Sequence, residues 1–251
     1  MLKIEEYSYE NDLKKINLSI EPGEITGIIG KAGSGKSALL HGALGLGKKG
    51  SPMINGKKIK RMSSKNKNLL VSSIPSGQIE NLSDTVYFFL LLSRMPYKKF
   101  FKPFSDLDHQ ITEKYIEALG LEKYETMELG TLSASVLRMV LLAWCFIREA
   151  PLLIFENPDL LLNPDQKFKL FETINRYTMN GDRSVLMTSN DINTVSQCAD
   201  RIIILEDGLI AEEGPPEILT KDIIEKYFNC SVLVSRNIYN GRPEVHLFPP
   251  S

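Results

Sequence analysis

Long apolar runs, cysteine and excess charge are all scarce in this 251-residue chain, and each absence narrows the function. Apolar runs such as Val86 to Leu92 fall far short of the roughly 20 residues that a membrane-spanning helix needs. A membrane role therefore requires a separate membrane partner. The start, Met1-Leu2-Lys3-Ile4-Glu5-Glu6, shows no apolar signal-peptide region. Cys145, Cys198 and Cys230 form an odd set without metal-ligand spacing, and they read as reduced thiols of a cytoplasmic protein. Thirty basic residues against 31 acidic ones leave a net charge of -1, so no nucleic-acid partner is expected. His41, His109 and His246 are scattered and read as surface or core residues rather than metal ligands. Trp144 and Cys145 lie on an apolar helical segment and read as core. Internal repeats and low-complexity tracts are absent. A hydrophobic content of 43% with 24% charged residues is enough for one sizeable α/β domain, or a core with an inserted subdomain.

The order of segments points to a parallel sheet. Leu2 to Ile20 reads as short strands with a turn at Glu10-Asn11-Asp12, and Ile25 to Gly30 as a buried strand. A Gly-rich loop and a helix from Lys36 to about Leu46 follow. Lys57 to Lys67 carries six cations among polar residues and reads as a solvated surface connection. From about Ser76 to Ala150 the pattern is helical. Ser83 or Asp84 can cap a helix through Tyr87 to Ser93, Ser105 or Asp106 one through Tyr115 to Leu119, and Ser133 one to Arg148. Strands at Leu152–Phe155, Ser184–Thr188 and Arg201–Leu205 then alternate with helices at Pro164–Tyr177 and Ile192–Cys198, which implies a parallel sheet.

The loop Gly30-Lys31-Ala32-Gly33-Ser34-Gly35-Lys36-Ser37, followed by Ala38, fits a nucleotide phosphate site. Its glycines let backbone N–H groups approach phosphates, Lys36 places a cation between the β- and γ-phosphates, and the Ser37 hydroxyl can ligate Mg2+. The strand before and the helix after give the match its meaning.

Beyond the loop, the segment order resembles an ATP-binding cassette (ABC) transporter subunit over nearly the whole length. Gly23-Glu24-Ile25 leads into the loop, and Asn55-Gly56-Lys57 matches the next turn. Leu132-Ser133 sits where the family signature falls. Pro151 to Pro158 takes the Walker B place. Ala199-Asp200-Arg201-Ile202, Asp207-Gly208 and Glu213-Gly214-Pro215-Pro216 match the end of the domain. The resemblance implies an α/β P-loop NTPase fold: a mostly parallel RecA-like sheet, an N-terminal antiparallel β subdomain and an inserted helical subdomain. The boundaries expected are 1–75 for the first part of the nucleotide-binding core with the β subdomain and 76–150 for the helical subdomain. The second part of the core would take 151–225, and a C-terminal β tail 226–251. ATP and Mg2+ are the cofactors implied. Tyr9 falls at the family's adenine-stacking position, with Tyr7 as a fallback. Ser93-Arg94-Met95-Pro96-Tyr97 and Asn240-Gly241-Arg242-Pro243-Glu244-Val245 look like importers of metal chelates, meaning iron-siderophore, haem or cobalamin systems.

The departures from the family fall on the chemistry. Where the family reads Asp-Glu-Pro, this chain reads Glu156-Asn157-Pro158. Glu156 would orient the Mg2+ shell and Asn157 would replace the catalytic glutamate. A slipped register, with Glu156 as base, would leave Phe155 at the metal position, where it cannot ligate. The family histidine is Asn190. The glutamine after Ile74-Pro75 is Ser76, for which Gln78 can substitute. The signature reads Leu132-Ser133-Ala134-Ser135-Val136 without its two glycines, and the aspartate after Walker B is Asn163. A nucleotide binder with weak or absent hydrolysis follows.

The partners implied are a polytopic membrane permease on its cytoplasmic face, and a second cassette, either identical or another ABC ATPase. The chain is expected in the cytoplasm, peripheral to the membrane. Phe100, Phe101 and Phe104, mixed with Lys98, Lys99 and Lys102, form either a partner-facing patch or packing of the helical subdomain. The competing reading is a soluble ATP-binding switch, or a regulatory pseudo-ATPase that scaffolds a partner without transport.

Overall fold

The computed structural model describes residues 1–9, 12–46, 52–74, 82–98 and 101–248. Strands β1 (Leu2–Tyr9) and β2 (Leu13–Ile20) lead into β3 (Ile25–Ile29), helix α1 (Lys36–Ala43) and the short strands β4 (Met53–Ile54) and β5 (Lys57–Lys58). Helix α2 (Ser64–Leu70), strand β6 (Val71–Ser73) and helices α3 (Val86–Leu92), α4 (Asp106–Ala118) and α5 (Ala134–Ile147) follow. Then come β7 (Leu152–Glu156), α6 (Pro164–Thr178), β8 (Ser184–Thr188), α7 (Ile192–Cys198), β9 (Arg201–Glu206) and β10 (Leu209–Gly214). Helix α8 (Lys221–Phe228) and a hairpin of β11 (Ser231–Arg236) and β12 (Pro243–Phe248) complete the chain. Among the described residues no helix is long and apolar enough to cross a membrane.

The chain divides into two compact units, one of Met1–Arg61, Phe155–Pro158 and Ser184–Ser251, the other of Met62–Ile154 and Asp159–Arg183. The first holds strands in the order β10-β9-β3-β8, with β3 parallel to both neighbours and β10 antiparallel to β9. All five residues of β3 are buried, as a central strand with both faces covered requires. An antiparallel sheet of order β2-β1-β4-β5 belongs to the same unit. Two segments singled out in the sequence meet here. Asp200 accepts the Ile25 N–H at 2.9 Å through Oδ2, and its own N–H donates to the Ile25 carbonyl at 2.8 Å. Arg201 donates to the Glu24 carboxylate and the Ser19 carbonyl. These bonds fix the start of β3, the strand that carries the chain to the phosphate loop.

The second unit packs α3, α4 and α5 together and pairs β6 in parallel with β7 over Leu152–Ile154. Ser105 caps α4 in a reciprocal capping box with Asp108, and Ser133 caps α5. The cap of α3 is Thr85, not Ser83 or Asp84. Asp84 accepts the Leu129 N–H at 3.0 Å and Thr85 bridges Glu128, which holds the chain extended up to Thr85 and delays the helix. Arg94 is buried in this unit. Its Nε donates to Asp108 at 2.9 Å, its Nη1 to the Ile147 carbonyl at 2.9 Å, and its guanidinium lies 4.0 Å from the Tyr97 ring centroid. The Tyr97 hydroxyl donates to the Arg148 carbonyl at 2.6 Å. The motif around Arg94 thus ties the end of α3 to α4 and α5. Five of the six cations between residues 57 and 67 are exposed, consistent with a solvated connection.

Candidate functional site

The phosphate loop lies in the first unit, between β3 and α1. Gly35 precedes the helix at φ 100, in the left-handed region. A Cβ there would meet the Asp12 carbonyl and Leu13 Cδ2, each at 2.7 Å, so conformation and space both demand glycine. Ala32, Gly33 and Ser37 are exposed and Lys31 and Lys36 half-buried, whereas Ser34 and Ala38 are buried. Ala38 can therefore offer a ligand little beyond its backbone N–H.

The loop's polar groups are bonded to one another. Lys36 Nζ donates to the Gly30 carbonyl at 2.6 Å and the Lys31 carbonyl at 2.9 Å. Burial pushes the Lys36 ammonium pKa below its ordinary value, and the Glu156 carboxylate opposes that shift. Ser37 Oγ donates directly to the Glu156 carboxylate. Glu156 ends β7 with its side chain exposed, while Phe155 is fully buried in the core and cannot occupy a metal position. Ser37 Oγ and the Glu156 carboxylate are hard oxygen donors in contact, a set that suits Mg2+. No cluster of three or more His, Cys, Asp or Glu suited to a metal exists among the described residues.

Asn157 follows at φ 43, a conformation that asparagine tolerates better than most residues. Its N–H donates to the Thr188 carbonyl at 3.0 Å and lies 3.2 Å from Thr188 Oγ1, at the end of β8. Asn190, two residues beyond Thr188, is exposed. Glu156, Asn157 and Asn190 thus stand at the ends of strands in the unit that holds the phosphate loop. Thr188, which fixes the Asn157 backbone, gave no signal in the sequence, because only strand pairing brings it there.

Tyr9 is half-buried and meets the His41 ring edge-on, with centroids 6.4 Å apart. The fallback, Tyr7, cannot stack on a ligand. It is fully buried and packs over Gly42 of α1, and burial, with the nearby Tyr9 hydroxyl, pushes its phenol up to about 12. In the second unit, Ser133 Oγ accepts the Val136 N–H at 3.4 Å and lies 3.3 Å from Ser135 Oγ. Ser133 and Ala134 are exposed, Leu132 and Ser135 are half-buried, and Val136 faces the core. Asn163 caps α6 in a reciprocal capping box with Gln166, a role in which asparagine and aspartate are equivalent. Ser76, Gln78, Lys99 and Phe100 lie outside the described residues. Phe101 is 95% exposed, whereas Phe104 is half-buried beneath Lys98.

The profile of the ABC transporter family matches residues 13–159. The chain is 26% identical over 234 residues to the "Probable siderophore transport system ATP-binding protein YusV" of Bacillus subtilis (strain 168), covering 92% of this chain and 85% of that protein. It is 25% identical over 234 residues to the iron(3+)-hydroxamate import ATP-binding protein FhuC of the same organism, covering 92% and 87%. A solved inward-facing conformation assigned to a metal-chelate type ABC transporter matches with a TM-score of 0.80 at 19% identity, covering all of this chain and 97% of that one.

Proposed function

Because the chain belongs to the ABC transporter family, we propose that it is the ATP-binding subunit of a metal-chelate importer, one that binds ATP with Mg2+ and hydrolyses it slowly. The carrying observation is the pairing of an intact phosphate loop with an amide at Asn157. Relatives named for siderophore and iron(3+)-hydroxamate systems support the cargo class.

Lys36 would exchange its two carbonyl acceptors for phosphate oxygens. Ser37 Oγ and Glu156 would hold Mg2+, which when bound neutralises phosphate charge. Tyr9 would lie against the adenine. Asn157 can orient a water but cannot take its proton, and a missing positioned base costs about 10²- to 10⁴-fold in rate. Asn190 can donate a hydrogen bond to a γ-phosphate without adding charge. Family members work as head-to-tail pairs, so a homodimer would repeat these substitutions in both sites, with Ser133, Ala134 and Ser135 facing the partner's nucleotide. The exposed Phe88, Met95 and Phe101 supply apolar surface for a permease's cytoplasmic segment.

Steady-state ATPase assay tests the reading. The unmodified chain should turn over far below a typical enzyme's roughly 10 s⁻¹. An Asn157→Glu, Asn190→His double variant should gain about 100-fold, and Lys36→Ala should remove what activity exists. Vigorous hydrolysis by the unmodified chain, lost in Lys36→Ala, would refute slow turnover. Failure to co-purify with a polytopic membrane protein would favour a soluble ATP-binding switch instead.

A further inference from the structure

The importer-like segment Asn240–Val245 takes no part in the site described above, yet the structure connects it to that site through one helix. Helix α7 begins just after Asn190. One face of it rests on β3, where a Cβ on Gly27 would meet Val195 Cγ1 at 2.2 Å. No side chain fits there without pushing α7 off the strand that feeds the phosphate loop.

The terminal hairpin holds α7 by other contacts. The Asn193 carboxamide bonds the Val245 backbone in both directions, donating to its carbonyl at 2.9 Å and accepting its N–H at 2.7 Å. Ser196 Oγ and Gln197 Nε2 donate to the Pro243 carbonyl at 2.6 and 3.1 Å. Arg242 Nη1 donates to the carbonyls of Ser196 at 3.1 Å and Ala199 at 2.7 Å, closing the C-terminal end of the helix. A seven-residue helix has little stability of its own. Its position is therefore set by what grips it.

Asn190 sits between two anchored neighbours. Before it, the Ser189 N–H donates to the Ile28 carbonyl of β3 at 3.3 Å. After it, Asp191 caps α7, and its N–H donates to Ser189 Oγ at 3.0 Å. We propose that the hairpin is a positioning element, with Arg242 and Asn193 as positioning residues that hold Asn190 where a nucleotide's third phosphate would lie. The proposal rests on the nucleotide reading above.

Only ATP carries that third phosphate, so the distinguishing measurement is affinity for ATP beside affinity for ADP, by calorimetry on the full chain with Mg2+. Arg242→Ala and Asn193→Ala should each weaken ATP binding about tenfold and leave ADP binding unchanged, with Arg242→Lys recovering part of the loss. In an Asn190→Ala background, Arg242→Ala should have no further effect. Two variants on opposite sides of the contact, one on α7 and one just before β12, guard against one that fails to fold. Parallel weakening of ATP and ADP, unchanged ATP affinity, or a full additive effect in the Asn190→Ala background would each overturn the proposal. An unmodified chain that binds neither nucleotide overturns the nucleotide reading itself, and the proposal with it.

Discussion

Lys36 and Arg94 are both cations within short motifs, one in each unit, and the structure treats them differently. Lys36 is half-buried and bonded to two carbonyls of its own loop, partners that a ligand can replace. Arg94 is 4% exposed and bonded to Asp108 and the Ile147 carbonyl, partners that nothing from solvent can reach. The loop around Lys36 is legible in the sequence from its glycine spacing, and the stretch around Arg94 from its resemblance to metal-chelate importers. Burial separates them. A cation near the surface is free to exchange partners, while a buried one with its hydrogen bonds complete specifies how helices meet.

That contrast can be broken most sharply at Arg94. Removing one partner of a buried ion pair leaves an uncompensated charge, so Arg94→Ala should cost about 3–5 kcal/mol of stability. Chemical denaturation monitored by circular dichroism should show the loss. A cost below about 1 kcal/mol would place Arg94 with the exchangeable cations. Lys36→Ala should do the reverse, weakening ATP binding at least about 100-fold, or about 2.7 kcal/mol, with an unchanged melting curve. A melting curve that falls as far as that of Arg94→Ala would erase the distinction.

A smaller effect lies in acid. Burial raises the Asp108 carboxyl, but hydrogen bonds from Ser105 and the Arg94 guanidinium outweigh it and hold the pKa below the usual carboxylate range. A carboxylate depressed in the folded state adds stability that is full above its unfolded value, near 3.9, and is lost as pH falls through the folded value. Asp108→Asn should therefore be less stable than the unmodified chain at pH 7, and the gap should narrow below about pH 4. A gap of constant size from pH 7 to pH 3 would show that the ion pair does not titrate this way.

The sequence carried much of this fold because the decisive signals are local. Residues Gly35, Ser105, Ser133 and Pro164 act on the turn in which they sit, and the elements start where those residues lie. What it did not carry depends on pairing at a distance. Tyr7 and Tyr9 share a parity along β1, so strict alternation would place both on the face opposite the buried Leu2 and Ile4. A register shift between Ile4 and Tyr7, with Glu6 at φ 44, turns Tyr7 into the core. Thr85 won the cap of α3 over its two polar predecessors because residues 127–129 pair with the chain there. Asn163 caps α6, a local role that asparagine fills as readily as aspartate. The clasp of β12 on α7 joins residues 43 to 52 positions apart, through side chains whose types alone suggest only a polar surface.

The phosphate loop's internal bonds also bear on how nucleotide would arrive and leave. Lys36 and Ser37 already have acceptors in the Gly30 and Lys31 carbonyls and the Glu156 carboxylate. An arriving phosphate would therefore compete with the protein's own oxygens, and its affinity would be the difference between two bonded states. The same competition works in the outward direction. As phosphate withdraws, the resident oxygens are positioned to recapture the ammonium and the hydroxyl, so departure need not leave either donor bare in a half-buried site. A chain with slow chemistry would then still exchange nucleotide quickly, because the Gly30, Lys31 and Glu156 oxygens would lower its release barrier.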